Sequence, residues 1–116
     1  DVIKVVVNGN RVMFDVPPMI IDDRTMVPMR AIFEALGATV EYDEEANTIT
    51  SDFNGKRITH TIGENIIYVN ETPFEMDVPS RVIEGRTLVP VRFISEALGA
   101  QVGWNEETKT VSITLN

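Results

Sequence analysis

The chain has 116 residues, a formal net charge of −8 at pH 7 and no cysteine. This length is enough for one domain with its own hydrophobic core. The acidic balance excludes nucleic acid as a partner, because nucleic-acid-binding proteins need a basic surface. The lack of cysteine excludes disulfides, zinc–thiolate sites and a cysteine nucleophile. We expect no membrane insertion, since no apolar run reaches the length of a membrane span.

The first part of the chain is predicted to form short strands joined by tight turns. Residues 2–7 are almost all apolar and mostly β-branched, which favours a buried strand. Asn8-Gly9 is a hairpin signal, and residues 11–14 return as a second strand. Residues 15–18 contain two prolines, which cannot donate to a strand ladder and therefore interrupt it.

An amphipathic helix is predicted at residues 28–36. Pro28 suits the first helical position, where the missing N–H costs nothing. Gly37 follows the last periodic residue and suits a left-handed cap at the helix C-terminus. Arg30 and Glu34 are four residues apart, so they can pair along the exposed face. The apolar positions follow the i, i+3, i+4, i+7 pattern of one buried face: Met29, Ile32, Phe33 and Leu36.

Further strands are predicted between this helix and the second half of the chain. Residues 39–42 alternate between polar and apolar side chains, and residues 48–51 return after an acidic turn. Residues 57–62 also alternate, and they follow a second Asn-Gly hairpin signal. One face of this last strand carries Ile58, His60 and Ile62.

The second half of the chain repeats the first at a constant offset of 62 residues. Residues 86–100 repeat residues 24–38, with Pro90 and Gly99 in the places of the proline and glycine that bound the first helix. The repeat needs no gap, so it indicates one supersecondary unit used twice. Its helix is too short to be stable alone and must pack on the rest of the chain.

These elements predict an α+β fold in which two tandem β-β-α-β-β repeats pack antiparallel sheets on two short helices. The repeats cover about residues 2–61 and 62–116. One short helix covers little of a sheet, whereas two units together can close a core. We therefore expect a single domain over residues 1–116. In the second helix, Arg92 and Glu96 would form the matching exposed pair.

Both repeats carry the same series of motifs. The series is Val-Asn-Gly, then Arg-Thr-Met/Leu-Val-Pro-x-Arg, then Glu-Ala-Leu-Gly-Ala, and then an aromatic residue before an acidic turn. It resembles the copper amine oxidase N-terminal-like domain, also called the stalk domain, over almost the whole chain. Two positions depart from the family pattern: Glu71 stands where the second Asn-Gly would have glycine, and Tyr42 where tryptophan is usual.

The resemblance implies a non-catalytic extracellular module, acting as a stalk, spacer or adhesion domain of a larger bacterial surface or secreted protein. It implies no cofactor, and its partners would be other domains of the parent protein, a cell-wall glycan or another surface protein. Extracellular location is inferred from the resemblance alone. The chain starts abruptly in strand-like sequence, so we also expect a mature piece of a longer protein.

The residues do not predict an enzyme. A catalytic copper site of amine oxidases needs three histidines, whereas this chain has only His60. His60 lies within a predicted strand, where we expect a half-buried ring bonded to backbone or water. Nucleophilic catalysis needs a serine or threonine beside a base that a third group orients. With His60 the only histidine and no Gly-x-Ser-x-Gly turn, nothing in the sequence supports such a site. Paired carboxylates lie in predicted turns, where solvation is the default rather than a glycosidase cleft.

Calcium is the metal to consider for the acidic turns. Residues 43–47 offer several hard oxygen ligands close together, but they lack the EF-hand spacing and its glycine. The second copy of this turn contains a lysine. A hairpin turn is therefore the favoured interpretation, and we predict no metal site.

Exposed aromatic residues would support a different function, carbohydrate or cell-wall binding. Tyr42 and Trp104 occupy equivalent positions after the two helices, and Tyr68 lies on a later strand. If their rings face solvent, they can stack on a sugar ring or on a partner side chain. Equivalent positions in a repeat more often serve packing, so we expect the first two rings to close the core beside the helices.

Arg24 and Arg86 are repeated polar residues near the two helix starts. One interpretation is a clamp for an anion or carboxylate. The favoured one is structural, a bridge to backbone carbonyls of the proline-containing segments, because both repeats keep the arginine. Weak self-association is a further expectation, through exposed edge strands at residues 2–7 or 109–115.

Overall fold

The structure is a computed structural model that describes residues 2–115, except for the side chains of Ser95 and Glu96. The predicted pair between Arg92 and Glu96 therefore lies outside the described residues. Three β-sheets and two short helices make up the described fold. The coarse prediction of an α+β fold built mainly from antiparallel strands is confirmed, whereas the order of elements within each repeat differs.

The first sheet, here named the terminal sheet, joins the two ends of the chain. Its strands are β1 (Lys4–Val7), β2 (Asn10–Val12), β12 (Gln101–Asn105) and β13 (Thr110–Thr114). Their order across the sheet is β12-β13-β1-β2. Strands β1 and β13 are parallel, and among the described strand pairs this is the only parallel one. Both lie inside the sheet, so the expectation that residues 2–7 and 109–115 form exposed edges is wrong.

The second sheet, here named the five-stranded sheet, is a meander in chain order. It contains β5 (Thr39–Asp43), β6 (Thr48–Phe53), β7 (Lys56–Thr61), β8 (Ile66–Val69) and β9 (Thr72–Glu75). All of its pairs are antiparallel. Tight turns that the sequence marks with Asn54-Gly55 and with Asn70 join its strands, and these residues have the positive φ that such hairpins require.

The third sheet was not predicted. It contains β3 (Met19–Ile21), β4 (Arg24–Pro28), β10 (Arg81–Ile83) and β11 (Arg86–Pro90), in the order β10-β11-β4-β3. We name it the inner sheet, because the last three residues of both β4 and β11 are buried. Each repeat thus has four strands before its helix, so the predicted β-β-α-β-β unit is wrong.

Two local features explain these extra strands. Asp22 and Asp23 both have positive φ, so they form a two-residue hairpin turn between β3 and β4 without a glycine. Val27 precedes a proline, which disfavours the helical region for that residue and keeps it extended. The segment before the helix therefore pairs as a strand instead of serving only as a lead-in.

The helices are α1 (Met29–Ala35) and α2 (Arg92–Leu98). Pro28 is the N-cap of α1 and has an extended backbone, with φ −61° and ψ 120°. Pro90 is the last residue of β11, before the start of α2. The prediction that these prolines occupy the first helical position is therefore wrong by one or two residues. Neither described helix is long and apolar enough to cross a membrane.

The predicted glycine cap is present at the end of α1. Gly37 has a φ of +93°, and its N–H donates to the carbonyl of Glu34 at 3.0 Å. The N–H of Ala38 donates to the carbonyl of Phe33 at 2.9 Å, which completes the Schellman pattern. Gly99, which follows α2, also has a positive φ of +74°.

The two repeats are interlocked, because each sheet contains strands from both. In the inner sheet, Val27 lies opposite its own counterpart, Val89, so an approximate two-fold axis passes through this pair. The terminal sheet and the five-stranded sheet correspond under the same offset, except that β7 has no counterpart. Strand β7 separates β6 from β8, whereas their counterparts β13 and β1 pair directly.

The main hydrophobic core draws on both repeats and both helices. The rings of Phe33 and Phe93 stack at its centre, with 5.9 Å between centroids and an interplanar angle of 8°. Both rings are buried, as are Ile32 and Ile94 on the same helices. Mutual burial of this kind is what stabilises helices too short to be stable alone.

Candidate functional site

Tyr42 and Trp104 face solvent, contrary to the expectation that they close the core. Tyr42 is 52% exposed and Trp104 is 42% exposed. Each lies near the end of an edge strand, β5 or β12, next to a four-residue turn. An edge strand has a neighbouring strand on one side only, so each residue lacks a cross-strand side chain on its other side.

Tyr68 is also exposed, but it does not share a site with Tyr42. Tyr42 pairs with Ile49, which in turn pairs with His60, and both of those side chains are buried on the core face. Tyr68 pairs with Thr59 on the opposite face of the same sheet. Trp104 belongs to the terminal sheet. The three aromatic residues singled out from the sequence therefore occupy three separate places.

Tyr42 borders a groove of about 500 Å³, which we name the α1 groove. Helix α1, the β10–β11 hairpin and the five-stranded sheet form its walls. Val82 belongs to β10 in the other repeat; it lines the groove and is 57% exposed. The lining residues are Asp15, Pro28, Arg30, Ala31, Glu34, Val40, Tyr42, Ile49, Ile62, Val82, Gly85, Arg86 and Thr87.

The ring of Tyr42 is held in position at the mouth of the α1 groove. Its hydroxyl donates to Oδ1 of Asn47 at 3.3 Å. The side-chain amide of Asn47 donates to the carbonyl of Ile62 at 3.4 Å. Because its polar atom is already bonded, the ring offers its face for contact. The contact between Tyr42 and Asn47 was not predicted, although Asn47 lies in the turn that follows Tyr42 in the sequence.

The charges along the α1 groove are paired. Nε of Arg30 lies 3.4 Å from Oε2 of Glu34 on the same helix. Arg86 forms an ion pair with Asp15 from the other repeat, with Nε 3.3 Å from Oδ1. The hydrogen bond from Arg86 holds the pKa of Asp15 below its usual range, so this carboxylate stays ionised.

Trp104 has an equivalent position and a similar tether. Its Nε1 donates to Oε2 of Glu106 at 2.7 Å, and Nζ of Lys109 lies 3.5 Å from Oε1 of the same carboxylate. The hydrogen bond from Trp104, followed by the charge of Lys109, lowers the pKa of Glu106. As with Tyr42, the polar atom of the ring is used internally and the ring face remains half exposed.

Arg24 and Arg86 bridge the two repeats. Nε of Arg24 lies 3.2 Å from Oδ2 of Asp77, and Arg86 pairs with Asp15. Asp77 is the counterpart of Asp15 at the offset of 62, so the two ion pairs are reciprocal. Backbone carbonyls of the proline-containing segments were the partners expected from the sequence, and these aspartates were not predicted. The signal was present, since the repeat itself retains both of them.

These arginines also bond to backbone carbonyls in their own hairpin turns. Nη1 of Arg24 donates to the carbonyl of Asp22 at 3.5 Å, and Nη1 of Arg86 to the carbonyl of Gly85 at 3.4 Å. Each arginine therefore bonds to the backbone of its own hairpin turn and also forms an ion pair with the other repeat. With carboxylate partners already in place, neither guanidinium is arranged as a clamp for an external anion.

His60 is fully buried and bonded through both ring nitrogens. Its Nδ1 donates to the carbonyl of Ile66 at 2.9 Å, and its Nε2 accepts from the hydroxyl of Ser80 at 2.7 Å. The Ser80 oxygen also accepts from the N–H of Gly63 at 2.8 Å. This network suits a neutral imidazole, and burial lowers the pKa of His60. Neither nitrogen is available to a metal or to an external substrate.

Acidic turns act as hairpin turns in the structure. Oδ1 of Asp43 accepts from the N–H of Ala46 at 3.1 Å, and Oδ1 of Asn105 accepts from the N–H of Thr108 at 3.1 Å. Within residues 2–115, leaving aside the two undescribed side chains, no group of three or more His, Asp or Glu residues is placed to hold a metal ion. The donor set therefore does not fit copper.

A shallow depression surrounds Tyr68 on the outer face of the five-stranded sheet. Its volume is about 530 Å³, and it is lined by Arg57, Thr59, Tyr68, Asn70 and Glu71. Arg57 pairs with Asp52 at 3.2 Å, and this contact raises the pKa of the guanidinium. The α1 groove is more enclosed than this depression, and its lining includes aliphatic side chains as well as aromatic and charged ones.

Comparison with known proteins identifies the chain at the level of a family. A family model described as the copper amine oxidase N-terminal domain matches residues 6–113. A comparison with curated proteins finds no match. The matched family is a non-catalytic accessory region of amine oxidases. Because the match covers nearly the whole chain and both repeats, this chain belongs to the copper amine oxidase N-terminal domain family.

Proposed function

We propose that this chain is a non-catalytic, extracellular structural and interaction module of a larger bacterial surface or secreted protein. Its direct partners would be the neighbouring domains of that protein. The observation that supports the proposal is that each of the three sheets contains strands of both repeats, with the exposed Arg24–Asp77 and Asp15–Arg86 pairs as minor additions. Shared sheets keep the two halves in one fixed arrangement, which is what a spacer requires.

The polar groups with catalytic potential support the same proposal. The single histidine and Ser80 resemble a base and a nucleophile in their contact, but both are buried. Their bonds join β7 and the turn before β8 to the segment before β10. A nucleophile must reach its substrate and needs a base held by a third polar group. The role that fits these contacts is structural.

A domain exchange in the parent protein tests the structural role. Residues 2–115 are replaced by an unrelated folded domain of similar size and, separately, by a short flexible linker. A spacer predicts that the neighbouring domains keep their activity or surface display with the folded substitute and lose it with the linker. Loss with both substitutes would contradict a purely spacing role.

Carbohydrate binding in the α1 groove is a second candidate, favoured by the unexpected exposure of Tyr42. The groove combines the aromatic ring of Tyr42 with apolar side chains, Val40 and Ile62 among them, and with polar groups. Sugars bind to such surfaces through their C–H faces and hydroxyl groups. The paired charges of the groove and the overall net charge of −8 favour a neutral glycan over an anionic one.

Titration with soluble neutral oligosaccharides, followed by calorimetry, tests this candidate. The variant Tyr42→Ala should weaken binding by about tenfold or more, because the stacked ring contributes on the order of 1.4 kcal/mol. Tyr68→Ala is the matched control, since this tyrosine lies on the opposite face of the same sheet. Binding that responds equally to both variants, or no binding at millimolar sugar, would count against the groove.

A further inference from the structure

The first and last strands of the described chain pair directly with each other and run in parallel. Lys4 lies opposite Thr110, and Val7 lies opposite Ile113. The polypeptide therefore enters the β1–β13 pair at one end and leaves it at the other. We infer that this pair is a mechanical clamp, which allows the module to bear tension along the polypeptide. The inference rests on the structural role proposed above and gives it a physical property.

The parallel direction decides how tension acts on the pair. When the segments before β1 and after β13 are pulled apart, the two strands are drawn past each other along their length. The hydrogen bonds between them then carry the load together. In an antiparallel hairpin pulled from its two ends, the bonds break one after another. Simultaneous loading raises the barrier to forced unfolding, which is a property of the unfolding rate and not of equilibrium stability.

Backbone bonds extend beyond the paired residues at both ends of the clamp. The N–H of Lys4 donates to the carbonyl of Lys109 at 2.9 Å, and the N–H of Asn8 donates to the carbonyl of Ile113 at 2.8 Å. The side chain of Asn8 adds one further bond, accepting from the N–H of Leu115 at 2.9 Å. This asparagine fastens β1 to the last described part of the chain.

Buried side chains also oppose sliding of the two strands. Val5 and Val7 of β1 and Val111 and Ile113 of β13 are all at most 3% exposed. Each strand is held on its other side as well, β1 by β2 and β13 by β12. Relative movement along the strand axis would disrupt close packing against the core before any new contact forms. The clamp therefore combines a bond ladder with an interlocked apolar face.

The second repeat supplies a matched comparison. Asn70 is the counterpart of Asn8, and its Oδ1 accepts from the N–H of Arg57 at 2.8 Å. Its own N–H donates to the carbonyl of Arg57 at 2.9 Å. The chemistry is thus the same, but Asn70 fastens β8 to β7 inside the five-stranded sheet. That pair is antiparallel and does not join the two ends of the chain.

Single-molecule pulling in two geometries tests the clamp. The chain, flanked by marker domains, is pulled first through both ends and then through its N-terminal end and a single introduced Glu107→Cys. The native chain has no cysteine, so this attachment point is unique. Glu107 lies in the exposed turn beside the start of β1, where tension peels the pair open one bond at a time. We expect a several-fold higher unfolding force for the end-to-end geometry at the same loading rate.

The asparagine variants separate a clamp from general stability. Glycine tolerates the positive φ of both positions, so Asn8→Gly and Asn70→Gly keep their turns and each lose one hydrogen bond. We expect similar losses of equilibrium stability, with the end-to-end unfolding force lowered only by Asn8→Gly. Equal forces in the two pulling geometries, or equal effects of the two variants, would overturn the clamp. Such a result would leave the structural role itself to be decided by the domain exchange.

Discussion

At the scale of single residues, Glu71 keeps the left-handed backbone of the first repeat but lacks the glycine that suits it. Glu71 has a φ of +72° in the turn between β8 and β9, close to the +85° of its counterpart Gly9. A residue with a Cβ is disfavoured in this conformation by roughly 1–2 kcal/mol. The departure that was visible in the motif therefore marks a strained turn.

Replacing Glu71 with glycine should stabilise the protein. The relief of strain is partly offset by the greater freedom of glycine in the unfolded chain, which leaves a gain of about 0.5–1 kcal/mol. Urea unfolding measures this gain. The reciprocal change, Gly9→Glu, is the control and should destabilise by a comparable amount. If neither change alters the unfolding free energy, the strain assigned to this turn is wrong.

The buried histidine should make stability depend on pH in a defined window. Burial lowers the pKa of His60 from its usual value of 6.5, so the unfolded chain binds this proton more readily than the folded one. The contribution of neutral His60 to folding stability is fully present above pH 6.5, and it falls as the pH decreases below that value. The pKa values of Asp15 and Glu106 are lowered from their usual 3.8 and 4.5. These two carboxylates therefore change the folding stability only at lower pH.

Unfolding free energies measured between about pH 5 and 8 test this dependence. We expect a plateau above about pH 6.5 and a decline below it. In His60→Gln the decline over this window should disappear, whatever the absolute stability of the variant. A wild-type slope that persists in the variant would mean that another group is responsible.

Residue types with one strong backbone preference were predicted well from the sequence. Asn8-Gly9 forms a turn, and Gly37 and Gly99 have positive φ. Preferences set by distant contacts were not predictable in this way. Tyr42 and Trp104 were expected in the core, but their exposure depends on how far each helix reaches over its sheet. The Asp22-Asp23 turn was missed as a hairpin because aspartate signals many kinds of turn.

At the scale of elements, the glycine cap of α1 offers a clean test. A Cβ added at Gly37 would meet no atom within 4 Å, so the cost of Gly37→Ala is one of backbone conformation alone. We expect a loss of about 1 kcal/mol. Gly103→Ala is the control, because a Cβ there also meets open space and its φ lies outside the left-handed region. An equal loss in both variants would argue against the capping role.

Helix existence was predictable from apolar periodicity, whereas the helix start was not. The motif Arg-Thr-Met-Val-Pro reads as a lead-in to the helix, yet residues 24–28 form a strand. Local preference for extended structure and a partner strand in the other repeat act together there. Only the first of these is visible in a single repeat. The inner sheet was missed because its central pair joins residues far apart in the chain.

At the scale of the whole molecule, the repeat predicted an internal symmetry but not the exchange of strands. The offset of 62 residues relates the terminal sheet to the five-stranded sheet, and only β7 breaks the correspondence. Which strands pair across repeats depends on long-range closure, which sequence periodicity does not encode. The reciprocal aspartate–arginine pairs follow from the same exchange, because each aspartate is brought to the arginine of the other repeat.

Interlocking makes cooperative unfolding the central expectation for the whole chain. Neither repeat contains all the strands of any one sheet, so loss of one repeat leaves strands of the other unpaired. The stacked pair of Phe33 and Phe93 would also lose one member. We therefore propose that residues 1–116 behave as a single domain, as the sequence analysis predicted.

The most direct test follows unfolding separately in each repeat. Trp104, the single tryptophan, reports on the second repeat. The double variant Tyr42→Trp with Trp104→Tyr moves the reporter to the equivalent place in the first. Within each protein, tryptophan fluorescence is compared with the circular dichroism of the whole chain in a urea titration. Interlocked repeats should unfold together, so we expect coincident transitions for both reporters. Separate midpoints for either reporter would show that the repeats unfold independently and would contradict the interlocked module.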